Sequence, residues 1–197
     1  KRAGMQVMEM LDKDIKPLDI LTEKSFENAL AIDMALGCST NTALHLPAIA
    51  HEAGIDLNLE LINELSAEVP HLCSLSPAGK HHIEDLNEAG GIPAVMKVLS
   101  NEGILNEDLV TVTGQSIAEN LTGVEVLNED VIRNFETAYH QTGGLAVLKG
   151  NLAPDGAVVK QAAVADEMLV HKGPARIFNS EEETVEAEGD EIVITED

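Results

Sequence analysis

The sequence predicts a chain of mixed class in two parts: a helix-rich stretch over residues 1–122 and a β-rich stretch over 143–197, joined by a linker or crossover over 123–142. Three observations carry this. Apolar residues recur at helical spacing through the first half, between residues that cap and stop helices. Beyond Gly143, short β-branched runs alternate with Pro/Gly turns. Of the 197 residues 44% are hydrophobic, at a mean hydropathy of +0.00, which suffices for a packed core and argues against disorder.

The elements follow in order. Lys1-Arg2-Ala3-Gly4 leads straight into Met5, Val7, Met8, Met10 and Leu11, an amphipathic pattern entered without an initiator Met, as expected of a piece cut from a longer chain. The next helix is predicted from Thr22 to Gly37. Thr22 can accept from a first-turn amide, Glu23 and Glu27 suit the positive end, and Gly37 can take the left-handed stop. Phe26, Ala29, Leu30, Asp33 and Leu36 lie along it. A polar elbow, Cys38-Ser39-Thr40-Asn41, separates it from a second helix running from Ala43 through Ala50 to near Gly54. A third is predicted over 56–65, with Leu57, Leu61, Ile62 and Leu65 on one face, closed by Pro70.

Ser76-Pro77-Ala78-Gly79 is a turn, after which Ile83, Leu86 and Ala89 lead to Gly90-Gly91. Residues 94–99 read as a short helix whose first turn tolerates Pro93, because that amide is unbonded in any case. Val110-Thr111-Val112-Thr113 reads as a strand ended by Gly114. Further strands are predicted at 145–148, 157–159, 175–178 and 192–194, separated by turns such as Ala153-Pro154-Asp155-Gly156 and Gly173-Pro174.

Charge excludes several functions. Thirty-five Asp and Glu against 12 Lys and Arg leave a net charge of −23 and a pI near 4.4, which suits neither a phosphate backbone nor an anionic membrane surface. Aromatic residues are 2% of the chain, with no Trp, so base-stacking platforms are nearly excluded. No apolar run approaches the ~18 to 20 residues of a membrane span, and there is no signal peptide, so a soluble, cytoplasmic protein is expected. Cys38 and Cys73 are too few for a disulfide framework and lack metal-site spacing; they read as buried thiols or, less simply, as ligands. The nine acidic residues between Glu181 and Asp197 read as a solvated edge or a cation site.

Two clusters could carry chemistry. His81-His82-Ile83-Glu84-Asp85 is dense in metal-binding side chains, and on a helix His81 and Asp85 would share a face, yet the run lacks the two-His spacing of H-E-x-x-H and an exposed polar turn is the simpler reading. His45 and His51 lie six apart and face different sides of one helix. Ser39, Thr40 and Asn41 set hydroxyl and amide groups at the start of a helix, where they could hold a carboxylate or another anion, or serve as the helix cap. Neither G-x-x-x-x-G-K-[ST] nor G-x-G-x-x-G occurs.

The chain also carries a resemblance. Asp19-Ile20-Leu21-Thr22, Phe26-Glu27-Asn28-Ala29 and Ala35-Leu36-Gly37-Cys38-Ser39-Thr40-Asn41-Thr42 resemble the dihydroxy-acid dehydratase family. The likeness continues through Pro77-Ala78-Gly79-Lys80, Gly90-Gly91-Ile92-Pro93, Thr111-Val112-Thr113-Gly114 and Gly143-Gly144-Leu145. It ends with Gly150-Asn151-Leu152-Ala153-Pro154-Asp155-Gly156 and Gly173-Pro174-Ala175-Arg176, and covers nearly the whole chain in family order.

The resemblance implies the α/β class: residues 1–122 as the C-terminal part of an α/β/α domain, and 143–197 as the opening part of an incomplete swivelling β-barrel domain. It implies a segment of an enzyme of valine and isoleucine synthesis that dehydrates 2,3-dihydroxy acids to 2-oxo acids. Its partners would be the small-molecule dihydroxy acid and further copies in a homo-oligomer. In such an enzyme an iron–sulfur cluster acts as Lewis acid on the departing 3-hydroxyl and Mg²⁺ holds the substrate. The family's cluster cysteines, magnesium ligands and catalytic Ser fall outside these residues, so no catalytic, cofactor or metal ligand is carried onto this chain. Neither cofactor is expected in it alone. Cys38 stands where the family commonly has Gly, and the run from Glu191 to Asp197 departs from the family strand it begins. Ser39, Thr40 and Asn41 remain the substrate-pocket candidates. The alternatives are a sugar-acid dehydratase such as a 6-phosphogluconate dehydratase or, for the chain alone, a non-catalytic acidic binding module.

Overall fold

A buried helix organises the fold of the computed structural model, which describes residues 1–189. This helix, α3 (Glu23–Leu36), follows α1 (Arg2–Asp12) and the single turn α2 (Pro17–Ile20). Thr22 caps α3: its hydroxyl accepts from Ser25 N at 3.2 Å while Ser25 Oγ accepts from Thr22 N at 2.9 Å. The helix stops at Gly37, whose φ of +59° is the left-handed conformation the sequence predicts there.

Around α3 lie α4 (Thr42–Glu52), α5 (Glu60–Glu68), α6 (Ile83–Glu88), α7 (Gly91–Asn101) and the short α8 (Ile117–Asn120). Leu30 and Met34 of α3, Ile62 of α5, Leu86 of α6 and Val95 and Leu99 of α7 are fully buried together. The stretch over 123–142 has no helix or strand but buries Val131 and Ile132 in the same core. Two strands follow, β1 (Ala146–Leu148) and β2 (Ala157–Val159), paired antiparallel with Val147 opposite Val158. Asn63 of α5 holds β1 like a neighbouring strand, accepting from Val147 N at 2.8 Å and donating to Val147 O at 3.0 Å. The described chain is thus helix-rich, with one small two-stranded sheet.

Residues 1–164 form one compact unit and the part from Ala165 onward a second. The described part of the second unit holds a single 3₁₀ turn, Asp166–Met168, and α9 (Glu181–Gly189). Ser180 Oγ accepts from Glu183 N at 3.2 Å in the first turn of α9, where Glu181, Glu182 and Glu183 face the positive helix end. Among the described residues no helix is long and apolar enough to cross a membrane.

Several expectations need correction. Residues 110–113 are not a strand: Val110 makes one isolated bridge to Ser116, and the threonines turn inward on themselves. The Thr111 and Thr113 hydroxyls lie 2.9 Å apart, Asn120 donates to Thr111 Oγ1 at 2.9 Å, and Thr111 N donates to Gln115 O. Without a ladder partner, β-branched residues settle into local side-chain bonding. Residues 175–178 likewise have no ladder partner and are irregular. The third helix begins at Glu60 rather than Asp56, where Asn58 Oδ1 accepts the Glu60 amide at 3.0 Å. The strand expected at 192–194 lies outside the described residues.

Candidate functional site

The elbow between α3 and α4 is held from its own backbone. Gly37 N and Cys38 N donate to Asp33 O, at 3.0 and 3.4 Å, and close α3. On the other side Thr42 N donates to Ser39 O at 3.0 Å, Ala43 N to Thr40 O at 3.1 Å, and His45 N to Asn41 O at 2.9 Å. The first-turn amides of α4 are therefore taken by carbonyls of the elbow. Ser39 Oγ accepts from Asn41 N at 3.2 Å, whereas Asn41, the N-cap residue, makes no side-chain capping bond. Of the three predicted residues only Ser39 serves the backbone. The exposed Asn41 amide and Thr40 hydroxyl stay available for another group.

A cavity of about 360 Å³ opens beside the elbow, lined by Asp33, Cys38, Ser39, Asn41, Thr42 and His45 over an apolar floor. Asp33 is only 6% exposed. Its Oδ1 accepts from the Thr42 hydroxyl at 3.0 Å, while Oδ2 is buried without a hydrogen-bond partner. Burial pushes the Asp33 pKa above the ordinary carboxylate range, opposed by the neighbouring Cys38 thiol, the Thr42 hydroxyl and the Lys160 charge. Burial pushes the Cys38 thiol up to about 12, and the Asp33 charge acts in the same direction. Cys73, fully buried, is likewise pushed up to about 12.

Behind the elbow stands His71, 4% exposed, whose ring fills the space a Cβ at Gly37 would need. It stacks on His140, with ring centroids 5.5 Å apart and planes at 14°. Burial, and then the charge of His140, lowers its pKa to about 4, so the ring is neutral at pH 7. Gly144 packs so closely on Gly37 that a Cβ there would overlap the Gly37 Cα. Ala162 N donates to Gly144 O at 3.2 Å, bringing the segment after β2 to the same place. Lys160, in that segment, is the cation whose charge acts on Asp33, Cys38 and His71 alike.

The histidine-rich run divides differently. His81 lies ahead of α6 in an isolated bridge to Leu75, and His82 is the N-cap, its amide bonded to Asp85 Oδ2 at 2.7 Å. Asp85 is thus occupied as a helix cap, although it lines a cavity with His81, Glu88 and Asp130. Among the described residues no three His, Cys, Asp or Glu side chains are placed to hold a metal. His45 reaches the elbow cavity; His51, one turn and a half further along α4, does not line it.

Asp33, His71 and Lys160 were not singled out from the sequence as site residues. For Asp33 there was a signal, a carboxylate at a core-facing position between Leu30 and Leu36. The other two depend on chain segments that meet only in the fold. Chemically, the elbow offers hydroxyl and amide groups over an apolar floor, which suits a small polyhydroxy acid. The first-turn amides of α4, which a phosphate at that helix end would use, are bonded to elbow carbonyls.

Comparison with known proteins gives the same direction. Residues 1–120 match the family described as dihydroxy-acid/6-phosphogluconate dehydratase N-terminal, and residues 130–197 match its C-terminal counterpart. The chain is 60% identical, over 201 aligned positions, to a dihydroxy-acid dehydratase of Acetivibrio thermocellus, covering 98% of this chain and 36% of that protein. A protein of the same name from Desulfatibacillum aliphaticivorans is 60% identical, covering 98% of this chain and 35% of the relative. One from Halothermothrix orenii is 57% identical, covering 99% and 37%. The chain therefore spans little more than a third of the length of these relatives.

Proposed function

The chain belongs to the dihydroxy-acid/6-phosphogluconate dehydratase family, and on that premise we propose that it is a segment of a dihydroxy-acid dehydratase. The reaction would remove water from a 2,3-dihydroxy acid to leave a 2-oxo acid, in the synthesis of valine and isoleucine. The observation that carries this reading is the match of both family parts in order along the chain, with relatives of that name at 57–60% identity. The proposal includes the domain layout: an α/β/α part over 1–122, a crossover over 123–142 and the opening of a swivelling β-barrel from 143. It also includes a cytoplasmic homo-oligomer as the complete enzyme.

An iron–sulfur cluster and Mg²⁺ would supply the Lewis-acid chemistry of the complete enzyme. The described residues do not fit either group. Cluster ligation needs several converging thiolates, whereas Cys38 is half-buried, Cys73 is fully buried, and burial pushes both thiols up to about 12. Among the described residues no three His, Cys, Asp or Glu side chains converge for Mg²⁺. The contribution assigned to this chain is binding. Ser39 and Asn41, which line the cavity, with Thr40 exposed beside them, would hold the hydroxyl and carboxylate groups of the acid against the elbow, while the apolar floor of Ile32 and Leu46 receives its alkyl end.

The test uses the complete, cluster-loaded enzyme that carries this segment, offered 2,3-dihydroxyisovalerate and 6-phosphogluconate in parallel. Formation of the 2-oxo acid from the first is expected; turnover of the phosphosugar alone would overturn the reading. Asn41→Ala should raise KM about tenfold, the size of one lost hydrogen bond, with little change in melting temperature. A loss explained wholly by lowered stability would return Asn41 to a capping role.

A further inference from the structure

Asp33 is the one residue that ties down both ends of the elbow. Its carbonyl oxygen receives the amides of Gly37 and Cys38, at the exit of α3. Its carboxylate Oδ1 receives the hydroxyl of Thr42, the first residue of α4, at 3.0 Å. Between these anchors run residues 38–41, where Asn41 N donates to Ser39 Oγ and the Cys38 thiol lies against Asp33 itself. A carboxylate is a costly choice for a site 6% exposed, and an apolar side chain would fill the helix face as well. What the carboxylate adds is a strong, directional acceptor for a hydroxyl nine residues away.

We propose that Asp33 is a positioning residue of the substrate pocket: through Thr42 it fixes the first turn of α4, and with it the aim of Asn41 and Ser39 into the cavity. This rests on the reading of the elbow as the dihydroxy-acid pocket. Oδ2, buried and unpartnered beside the cavity, gives the arrangement its sensitivity. With the Thr42 hydroxyl gone the carboxylate keeps only the weak thiol donor of Cys38 beside it, and the elbow relaxes to solvate the group. The donors at residues 39–41 then leave their places while the reacting atoms, held elsewhere in the enzyme, keep theirs. Binding weakens and the chemical step does not.

Thr42 variants of the complete enzyme test this by the split between KM and kcat for 2,3-dihydroxyisovalerate. Thr42→Val and Thr42→Ala, which both remove the hydroxyl, should raise KM about tenfold with kcat changed less than about twofold; Thr42→Ser, which restores the donor, should return KM to the parent value. The alanine variant, which keeps helix propensity at this half-buried first position, keeps the test open if the valine variant folds poorly. Ser39→Ala and Asn41→Ala run alongside. If they raise KM while Thr42→Ala does not, the positioning role of Asp33 is wrong and the pocket stands. If Thr42→Ser raises KM as much as Thr42→Ala, the bond to Asp33 is not what matters, and the proposal again falls. If Ser39→Ala and Asn41→Ala leave KM unchanged, the pocket reading itself fails and takes the positioning role with it.

Discussion

His71 and the two cysteines show how burial, more than any neighbouring charge, sets the chemistry of single residues here. The His71 imidazole has a folded pKa of about 4 against an ordinary 6.5, so between those values the unfolded chain binds the proton and the folded chain does not. Stability supplied by this difference is present above pH 6.5 and is lost as pH falls through about 4, with a total on the order of 3 kcal/mol. The comparison of wild type with His71→Gln isolates it from the many carboxylates that titrate nearby. The variant should be the less stable protein at pH 7 in urea unfolding, and the gap should close as pH falls from 6.5 to 4; a gap constant with pH would refute the assignment. Asp33 works in the opposite sense, its raised pKa making ionisation in the folded state a cost that grows as pH rises through it. For Cys38 and Cys73, thiols pushed up to about 12 leave roughly one thiolate in ten thousand at pH 8. Both should resist a thiol-labelling reagent in the folded chain and react at once in urea. Rapid labelling of Cys38, which is half-buried at the cavity, without unfolding would refute the raised pKa of its thiol.

At the scale of elements, the junction of α3 and α4 is decided by Gly37. An alanine there meets two separate penalties: a φ of +59° that L side chains rarely adopt, and a Cβ driven into the His71 ring. Gly54 offers the control, with φ +76° but nothing within 4 Å of a Cβ. Gly54→Ala should cost about 1 kcal/mol for the backbone alone, and Gly37→Ala on the order of 3 kcal/mol, read as a difference in urea midpoint; equal losses would mean that the His71 ring yields freely. The contrast also explains what could be read in advance. The ends of α3 were legible because Thr22 and Gly37 each act within about one turn of their own end of the helix. The polar run at residues 39–41 was legible as a place where helix gives way to exposed donors. Asp33 was visible only as an oddity on a core face, since its partner is Thr42 across the elbow. His71 was invisible, because its burial depends on Gly37 and on His140 sixty-nine positions away. Residues 110–113 misled for the converse reason: their composition favours a strand, but no neighbouring strand comes to pair.

For the whole molecule the distribution of core and charge makes a sharper statement than the totals. The apolar cluster that holds the helices together draws every member from residues 30–158, within the first compact unit. The part from residue 165 to 197 carries 11 acidic and two basic side chains, so it holds −9 of the net −23 in a sixth of the length. Its described apolar side chains, Met168, Leu169, Val170, Ile177 and Val185, are mostly solvent-exposed, and α9 rests on its Ser180 cap and acidic first turn. Among the described residues, removing this part takes away no member of the central core, and it relieves a concentration of like charge. The chain ended after Val164 should therefore keep its cooperative thermal transition, with a melting temperature within about 3 °C of the full 197 residues, since a loss of even 1 kcal/mol would shift it by several degrees. Far-UV circular dichroism should lose no more than the contribution of α9. A fall of about 5 °C or more, or a broadened transition, would show that the acidic C-terminal part supports the first unit after all, and that stability is shared across the boundary at Val164.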